Sequence, residues 1–317
     1  MSTDHPRWMG AALTLASRAV GTTYPNPPVG CIIIKDNIMI ARGWTQPSGR
    51  PHAEAMALSC INAAGAAAYI TLEPCAHQSP RGPDCAGLLI ESGIKTAIIA
   101  APDPDPRTNG KGIAKLQAAG IKVITGIRTA EAQAVMAGFL TRQHQNRPHI
   151  TLKLALSLDG CLALNNGTSR WITSPRARAH AHLERARADI ILIGTGTYVA
   201  DHPRLDVRLP GLESRSPTPA LLGKSAAPKG WLHVKSLEDM ASLPANEILV
   251  EGGAKVAASL LAADMVDRLL IYRAPLLLGG QPGIAMLNLT EITHNKWHPS
   301  PIITLGPDRL EIFTRNR

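Results

Sequence analysis

Two short stretches carry residues able to hold a metal and move a proton. The first is His52-Ala53-Glu54. The second runs from Pro74-Cys75-Ala76-His77 through Gln78, Ser79, Pro80, Arg81, Gly82, Pro83 and Asp84 to Cys85. One imidazole and two thiolates give a tetrahedral zinc ion three ligands and leave the fourth position to water. A thiol at a helix start is biased toward thiolate, and Cys85 is placed at one. Pro74 fixes the direction of the chain entering Cys75. Glu54, two residues after His52, would point roughly opposite to it on a regular helix. At a helix entry both side chains reach one cleft, so Glu54 reads as a proton carrier and not as a ligand. A structural zinc would normally take four protein ligands. Three are evident here and Glu54 would have no task, which argues against a nucleic-acid-binding protein with a structural zinc.

These residues need a scaffold, and the surrounding pattern supplies one. Met9, Leu13, Ala16 and Val20 recur at helical spacing across residues 5–20, ahead of Gly21. An apolar, β-branched run at 29–35 and a second strand at 38–42, joined by Asp36-Asn37, read as a hairpin. A helix is expected over 52–64, a strand over 68–72 and a helix over 85–92. Further strands fall at 95–101 and 121–127, and helices at 111–119 and 130–143. Strands alternating with helices make an α/β/α layered sheet. Sites in such sheets form where strands end and helices begin, and both His52 and Cys85 sit at helix starts. Residues 145–148 read as a linker, which divides the chain into domains 1–146 and 147–317. The second half shows strands at 149–156, 190–194, 248–251, 268–274 and 302–314, and helices at 175–188 and 254–263. The Pro-, Gly- and Ser-rich stretch 210–230 reads as a surface loop.

At 317 residues the chain has room for about two domains. No apolar run approaches the ~18 residues of a membrane span. Residues 1–10 are polar with an early proline, so no signal peptide is expected. Five cysteines are an odd set for a disulfide framework and fit a reducing cytoplasm. Cys31, Cys60 and Cys161 lie on apolar patterns and read as core. The net charge of +9 suits anionic partners. Aromatic residues are only 3% and no Lys/Arg tract stands out, so small phosphorylated ligands are favoured over nucleic acid.

The His-x-Glu and Pro-Cys elements match the pattern of zinc nucleobase deaminases, but nine residues replace the usual two between the cysteines. Pro25-Asn26-Pro27-Pro28-Val29-Gly30, Gly49-Arg50-Pro51-His52-Ala53-Glu54 and Thr71-Leu72-Glu73-Pro74-Cys75-Ala76-His77 resemble the bifunctional riboflavin-biosynthesis deaminase–reductases. That family has a long loop of the form Pro-Cys-x-His-x-Gly-Arg/Lys-Thr-Pro-Pro-Cys. Here the loop is one residue longer and lacks the Thr, and Thr45 stands where the family usually has a His. The resemblance implies a cytidine-deaminase-like α/β/α domain that hydrolytically deaminates a phosphoribosylated diaminopyrimidinone. His52, Cys75 and Cys85 would be the zinc ligands, one ion per chain, and Glu54 the proton donor and acceptor. Asn26, His77 and Asp103 would be substrate contacts, with Arg81 a further candidate.

The residues of the second half say little by themselves. Gly252-Gly253, between a strand and a helix, could present backbone N–H groups to a phosphate, or could be a simple turn. No Gly-x-Gly-x-x-Gly is present. The same family resemblance extends through Lys153-Leu154-Ala155-Leu156-Ser157-Leu158-Asp159-Gly160, Ser169-Arg170-Trp171-Ile172-Thr173, Gly194-Thr195-Gly196-Thr197, Ala200-Asp201-His202-Pro203, Val250-Glu251-Gly252-Gly253 and Ala274-Pro275-Leu276-Leu277-Leu278-Gly279. It implies a dihydrofolate-reductase-like α/β domain that uses NADPH to reduce a ribosyl group to ribityl. Ala155, Trp171, Thr197, Asp201 and the helix start Gly253, Ala254, Lys255, Val256, Ala257, Ala258 and Ser259 would contact the cofactor. Ser169, Arg185, Leu205, Arg208 and Glu251 would contact substrate, the two arginines suiting its phosphate. The family usually has a longer segment between Arg208 and Val250, with an apolar strand leading to an Asp. The alternative is therefore a deaminase whose shortened second half serves only in oligomerisation. The resemblance further implies a cytoplasmic homo-oligomer, dimer or larger, acting on small phosphorylated pyrimidines without nucleic acid or membrane.

Overall fold

The structure is a computed structural model that describes residues 4–77, 82–287 and 296–316. The chain divides into two units, Met1–Asn146 and Arg147–Arg317. The first runs α1 (His5–Ala16), β1 (Gly30–Lys35), β2 (Ile38–Trp44), α2 (Ala53–Leu58), β3 (Ala67–Ile70), α3 (Cys85–Glu91), β4 (Thr96–Ile99), α4 (Lys111–Ala118), β5 (Lys122–Thr125), α5 (Thr129–Val135) and α6 (Ala137–Gln145). Among the described residues its sheet has five strands in the order β2-β1-β3-β4-β5. β1 is antiparallel to both β2 and β3, while β3, β4 and β5 are parallel.

Local chemistry accounts for these elements. Asp36 and Asn37 both take positive φ (50° and 60°), as a two-residue type I′ hairpin turn requires. β1 lies inside the sheet, and Cys31, Ile32, Ile33 and Ile34 are all buried there. With Ile70, Leu89, Ile98 and Ile99 they build one core, each large side chain contributing about 1.5–3 kcal/mol by its removal from water. α2 ends at Leu58, six residues short of the expected end. Asn62 Oδ1 accepts the Ala64 N–H at 3.0 Å, a local turn that competes with the helix. The helix expected over 130–143 is two, broken at Met136 (φ −100°, ψ 17°), with no proline to signal the break. Cys31 and Cys161 are buried as expected, but Cys60 is exposed because the shortened α2 leaves it in a turn.

The second unit runs β6 (His149–Leu156), β7 (Cys161–Ala163), α7 (Pro175–Arg185), β8 (Ile190–Gly194), α8 (Thr195–Asp201), β9 (Thr218–Leu222), β10 (Leu232–Val234), β11 (Glu247–Val250), α9 (Ala254–Ala262), β12 (Arg268–Arg273), β13 (Gln281–Pro282), β14 (Trp297–Pro299), β15 (Ile303–Leu305) and β16 (Asp308–Arg315). Its main sheet, among the described residues, has the order β10-β9-β8-β11-β6-β12-β16-β14, with β15 also on β16. β10, β9, β8, β11, β6 and β12 are mutually parallel where they pair.

The stretch 210–230 is not wholly a loop. β9 lies within it, between β8 and β10, with Ala220 and Leu221 buried. Pro219 disguises this strand, because a proline normally argues against an inner strand. Thr218 donates its N–H to Asp189 O on the β8 side at 2.9 Å, and strand N–H groups alternate sides, so the missing donor of Pro219 faces β10. β10 begins its pairing only at Ala220, so no ladder bond is lost there. The helix α8, directly after β8, is likewise an addition to the sequence reading.

Candidate active sites

Two of the three metal-ligand candidates enter on helix starts. His52, extended at φ −70° and ψ 163°, is the cap residue before α2, and Cys85 opens α3. Asp84 fixes that second entry: its Oδ1 accepts the Gly87 N–H and the Lys115 ammonium, both at 2.8 Å. Cys75 comes from the segment after β3, and its Sγ accepts the Cys85 N–H at 3.4 Å. His52 Nδ1 lies 3.2 Å from Cys85 Sγ and 3.7 Å from Cys75 Sγ. Zn–S bonds of ~2.3 Å and Zn–N of ~2.0 Å at a tetrahedral angle give N···S edges of about 3.5 Å. The observed edges bracket that value, and the donor set of one imidazole and two thiols fits zinc.

Glu54 lies in the first turn of α2 with only 4% of its surface exposed. Burial raises its carboxyl above the usual carboxylate range, against the attraction of His52. A carboxyl moved toward neutral pH is suited to relaying protons. The Cys75 thiol is pulled down, chiefly by its hydrogen bond with Cys85, whose own thiol is pushed up by the same contact and by burial.

The other candidates of this unit have defined partners. Asn26 Nδ2 donates to Gly49 O at 3.1 Å and lies 3.1 Å from His52 Nε2, so the Pro-Asn-Pro loop backs the imidazole on the side away from the thiols. His77 Nδ1 is 3.4 Å from Thr108 Oγ1. Asp103 is buried, and burial, with Asp105 and Glu73 nearby, pushes its carboxyl up to about 6 despite the Asp105 N–H that it accepts. Thr45 accepts the Val29 N–H through Oγ1 at 3.0 Å, so it holds the strand start together. Arg81 lies outside the described residues.

Sequence reasoning missed Glu73. Its carboxylate is 3% exposed and collects four main-chain donors: Gly112 and Ile113 on Oε1 at 3.0 and 3.1 Å, and Gly110 and Asp103 on Oε2 at 3.1 and 3.3 Å. It thereby ties the Cys75 segment to the start of α4 and to the loop that carries Asp103. An acidic residue in an apolar stretch two positions before a ligand was the available signal.

In the second unit, the carboxyl ends of β8, β11 and β6 lie side by side, and α8 and α9 start there. Ligands bind at such strand ends in α/β sheets. Gly194 permits the close approach: a Cβ on it would stand 2.6 Å from Val256 Cγ2 of α9. Gly253 caps α9 with no side chain bonded to the helix start, leaving its N–H groups for an anion. Thr197 Oγ1 would be 3.4 Å from a Cβ on Gly253, so these two candidates adjoin. Ala257 and Ala258 are buried, and Ser259 Oγ bonds back to Lys255 O at 3.0 Å, so residues 253–256 form the mouth itself. Ala155 is half-buried near the end of β6. Asp201, at the end of α8, accepts Arg170 Nη2 at 3.1 Å. The neighbouring Trp171 is 68% exposed, with the Arg178 guanidinium 4.6 Å from its ring centre. The free helix start at 253–256 and the adjoining Thr197 hydroxyl suit a cofactor phosphate.

Among the substrate candidates, Arg185 links Glu251 to the segment that carries Leu205 and Arg208. Arg185 forks onto Glu251, Nε to Oε1 at 2.7 Å and Nη2 to Oε2 at 2.9 Å. Burial alone would raise the Glu251 carboxyl, but Lys153 and Arg185 outweigh it and hold it at about 2. Ser169 is half-buried directly before Arg170. Arg208 is exposed and bonded to Asp206. Leu205 gives its side chain to the core with Ile191, Ile193 and Leu221, so only its main chain is available to a ligand.

A cytidine-deaminase-like unit with a His/Cys/Cys centre, followed by a dihydrofolate-reductase-like unit with helix starts at its strand ends, defines a zinc deaminase joined to a reductase. Residues 2–101 match the family described as the cytidine and deoxycytidylate deaminase zinc-binding region, and residues 148–229 and 231–308 match the RibD C-terminal domain. The riboflavin biosynthesis protein RibD of Aquifex aeolicus is 34% identical, the alignment covering 97% of this chain and 98% of that protein. RibD of Escherichia coli is 37% identical, with 86% and 88% covered. Among solved structures, a diaminohydroxyphosphoribosylaminopyrimidine deaminase/5-amino-6-(5-phosphoribosylamino)uracil reductase from Thermotoga maritima superposes with a TM-score of 0.90 at 29% identity, over 98% of this chain and 99% of that one. Acinetobacter baumannii RibD superposes with a TM-score of 0.86 at 32% identity, over 99% of each chain. The chain belongs to the RibD family. It is a bifunctional deaminase and reductase of riboflavin biosynthesis, with zinc and NADPH as its cofactors.

Proposed function

We propose that the two units act in turn on one phosphorylated pyrimidine. The first hydrolytically deaminates 2,5-diamino-6-(5-phosphoribosylamino)pyrimidin-4-one. The second reduces the ribosyl group of the product to ribityl. The observation that carries this reading is the triangle of His52 Nδ1, Cys75 Sγ and Cys85 Sγ with the buried Glu54 beside it.

His52, Cys75 and Cys85 would hold a zinc ion, which would supply Lewis acidity toward water at neutral pH. Glu54 is the group that would take a proton from the attacking water and deliver one to the amino nitrogen, which leaves as ammonia. Asn26, His77 and Asp103 hold the pyrimidine and its sugar phosphate. In the second unit, bound NADPH would supply hydride for reduction of the ribosyl group. Residues 253–256 and Thr197 take the cofactor phosphates, and Ala155, Trp171 and Asp201 line its remaining length, with 257–259 supporting the helix start. Ser169, Arg185, Glu251, Arg208 and the main chain of Leu205 hold the substrate, Arg208 at its phosphate. β9 and β10 give the segment 209–249 sheet structure, which counts against its being a trimmed, inactive remnant.

We also assign the chain to the cytoplasm as a homo-oligomer. Five free cysteines support the first assignment. Exposed Ile38, Met39 and Ile40 on the outer strand β2 support the second. Ammonia release from the diaminopyrimidinone and NADPH oxidation with its deaminated product, measured on one preparation, test the central reading. Absence of the second activity would overturn the role given to residues 147–317.

A further inference from the structure

The stretch after α8 carries a carboxylate in an unexpected place. Leu205 and Val207 are buried at 3% and 2% exposure, while Arg204, Asp206 and Arg208 alternate with them on the outer side. Each oxygen of Asp206 is taken by a different arginine: Oδ1 by Arg208 Nη1 and Oδ2 by Arg204 Nη2. Its main-chain carbonyl accepts Arg185 Nη1 at 3.0 Å, and the Arg208 N–H reaches His182 Nδ1 at 3.3 Å. Three arginines from two parts of the unit therefore meet at one residue.

The charge balance shows what this cluster lacks. Lys153, Arg185, Arg204 and Arg208 are its cations and Glu251 and Asp206 its carboxylates, an excess of two positive charges. A phosphate monoester brings about −1.5 to −2 at neutral pH. The two carboxylates are not equivalent. Glu251 is locked in a buried two-point pair with Arg185. Asp206 is in a half-exposed position, and its arginine partners are 76% and 48% exposed, so both of its ion pairs are screened by water and exchange readily.

We propose that Asp206 is a competing anion for the substrate phosphate. Its two oxygens occupy Arg204 and Arg208 as two phosphate oxygens would. A bound phosphate takes one or both arginines from it, and its carboxylate returns as the phosphate leaves. Asp206 thus weakens binding of the phosphorylated substrate and hastens release of the phosphorylated product. Arg204 becomes a second phosphate contact beside Arg208. This inference rests on the assignment of Arg208 to the substrate phosphate.

The test compares Asp206→Asn, Asp206→Ala and Arg208→Ala in the full-length chain. Reductase KM is measured with the phosphorylated and the dephosphorylated substrate, together with competitive inhibition by inorganic phosphate. Removing one partly exposed charge is worth a factor of about five at most. Both Asp206 variants are expected to lower the KM for phosphorylated substrate and the inhibition constant of phosphate by about 3- to 5-fold. The KM for dephosphorylated substrate is expected to stay as it was. If Arg208→Ala raises the KM while neither Asp206 variant lowers it, Asp206 only organises the arginines and the competing-anion role is overturned. If Arg208→Ala leaves the KM for phosphorylated substrate unchanged, the phosphate is held elsewhere, and both the assignment and the inference fall.

Discussion

Glu73 Oε1 accepts the backbone N–H of Gly112 at 3.0 Å, and Gly112 has no room for a side chain, because a Cβ there would stand 2.0 Å from Pro74 O. One glycine thus lets the start of α4 close onto both the carboxylate and the segment leading to Cys75. Glu73→Ala would leave four main-chain donors without their acceptor, those of Asp103 and Gly112 buried. A single buried group left unsatisfied costs about 1–3 kcal/mol, so destabilisation of about 2–6 kcal/mol is expected. Denaturant melts and zinc content of the purified variant measure it. Wild-type values of both would remove Glu73 from the support of the metal centre.

The centre itself separates metal binding from proton transfer. Cys85→Ser is expected to lose zinc and deamination while the reductase still turns over supplied deaminated substrate. Glu54→Gln is expected to keep zinc and to lose about 10²- to 10⁴-fold in deaminase kcat, the usual contribution of a positioned acid–base group. Metal analysis beside ammonia release checks both. Glu54→Gln with near-wild-type turnover would assign the proton transfer to another group.

Glu251 makes the second unit sensitive to acid. Burial opposes its charge, but Lys153 and Arg185 hold its folded value at about 2, below the ordinary 4.5. The contribution to stability is complete above about pH 4.5 and is lost as the pH falls toward 2. It is on the order of 3 kcal/mol. Urea melts of wild type and Glu251→Gln from pH 5 to pH 2.5 should therefore converge, with the wild type losing its stability the faster. Parallel curves across that window would show that the ion pair carries no such linkage.

Gly194 and Val256 offer a test of the cleft's close packing. With 2.6 Å between an added Cβ and Val256 Cγ2, Gly194→Ala should cost about 1–3 kcal/mol and raise the KM for NADPH. Val256→Ala in the same chain should recover part of the loss, since the two sites are in contact. A purely additive double variant would mean that α9 moves aside at no cost.

The zinc centre was legible because its parts are chemically rare and fall at helix starts that local rules announce. Asp84 and Ser174 cap as such residues do, each side chain accepting an N–H three residues on. The strands of β6 and β8 were plain, being apolar runs of strand length. What escaped was decided by distant partners. β9 hid behind Pro219, whose missing donor is harmless only because β10 starts one residue later. α2 looked longer than it is because its apolar pattern continues past the turn that Asn62 builds. Glu73 looked like ordinary polar punctuation, since its four donors come from residues 30 to 40 positions away. The reductase residues were reached through resemblance alone, and periodicity could not have foretold that Asp206 binds two arginines.

The division at residue 146, with a separate core on each side, has a genetic consequence. An allele broken at Glu54 and another broken at Arg208 damage different units of different molecules. Each product still carries one working centre. Cells holding both alleles should grow without supplied riboflavin while neither allele alone suffices, so the locus should behave as two complementation groups. How well the pair grows then measures how freely the deaminated intermediate passes from one molecule to the next.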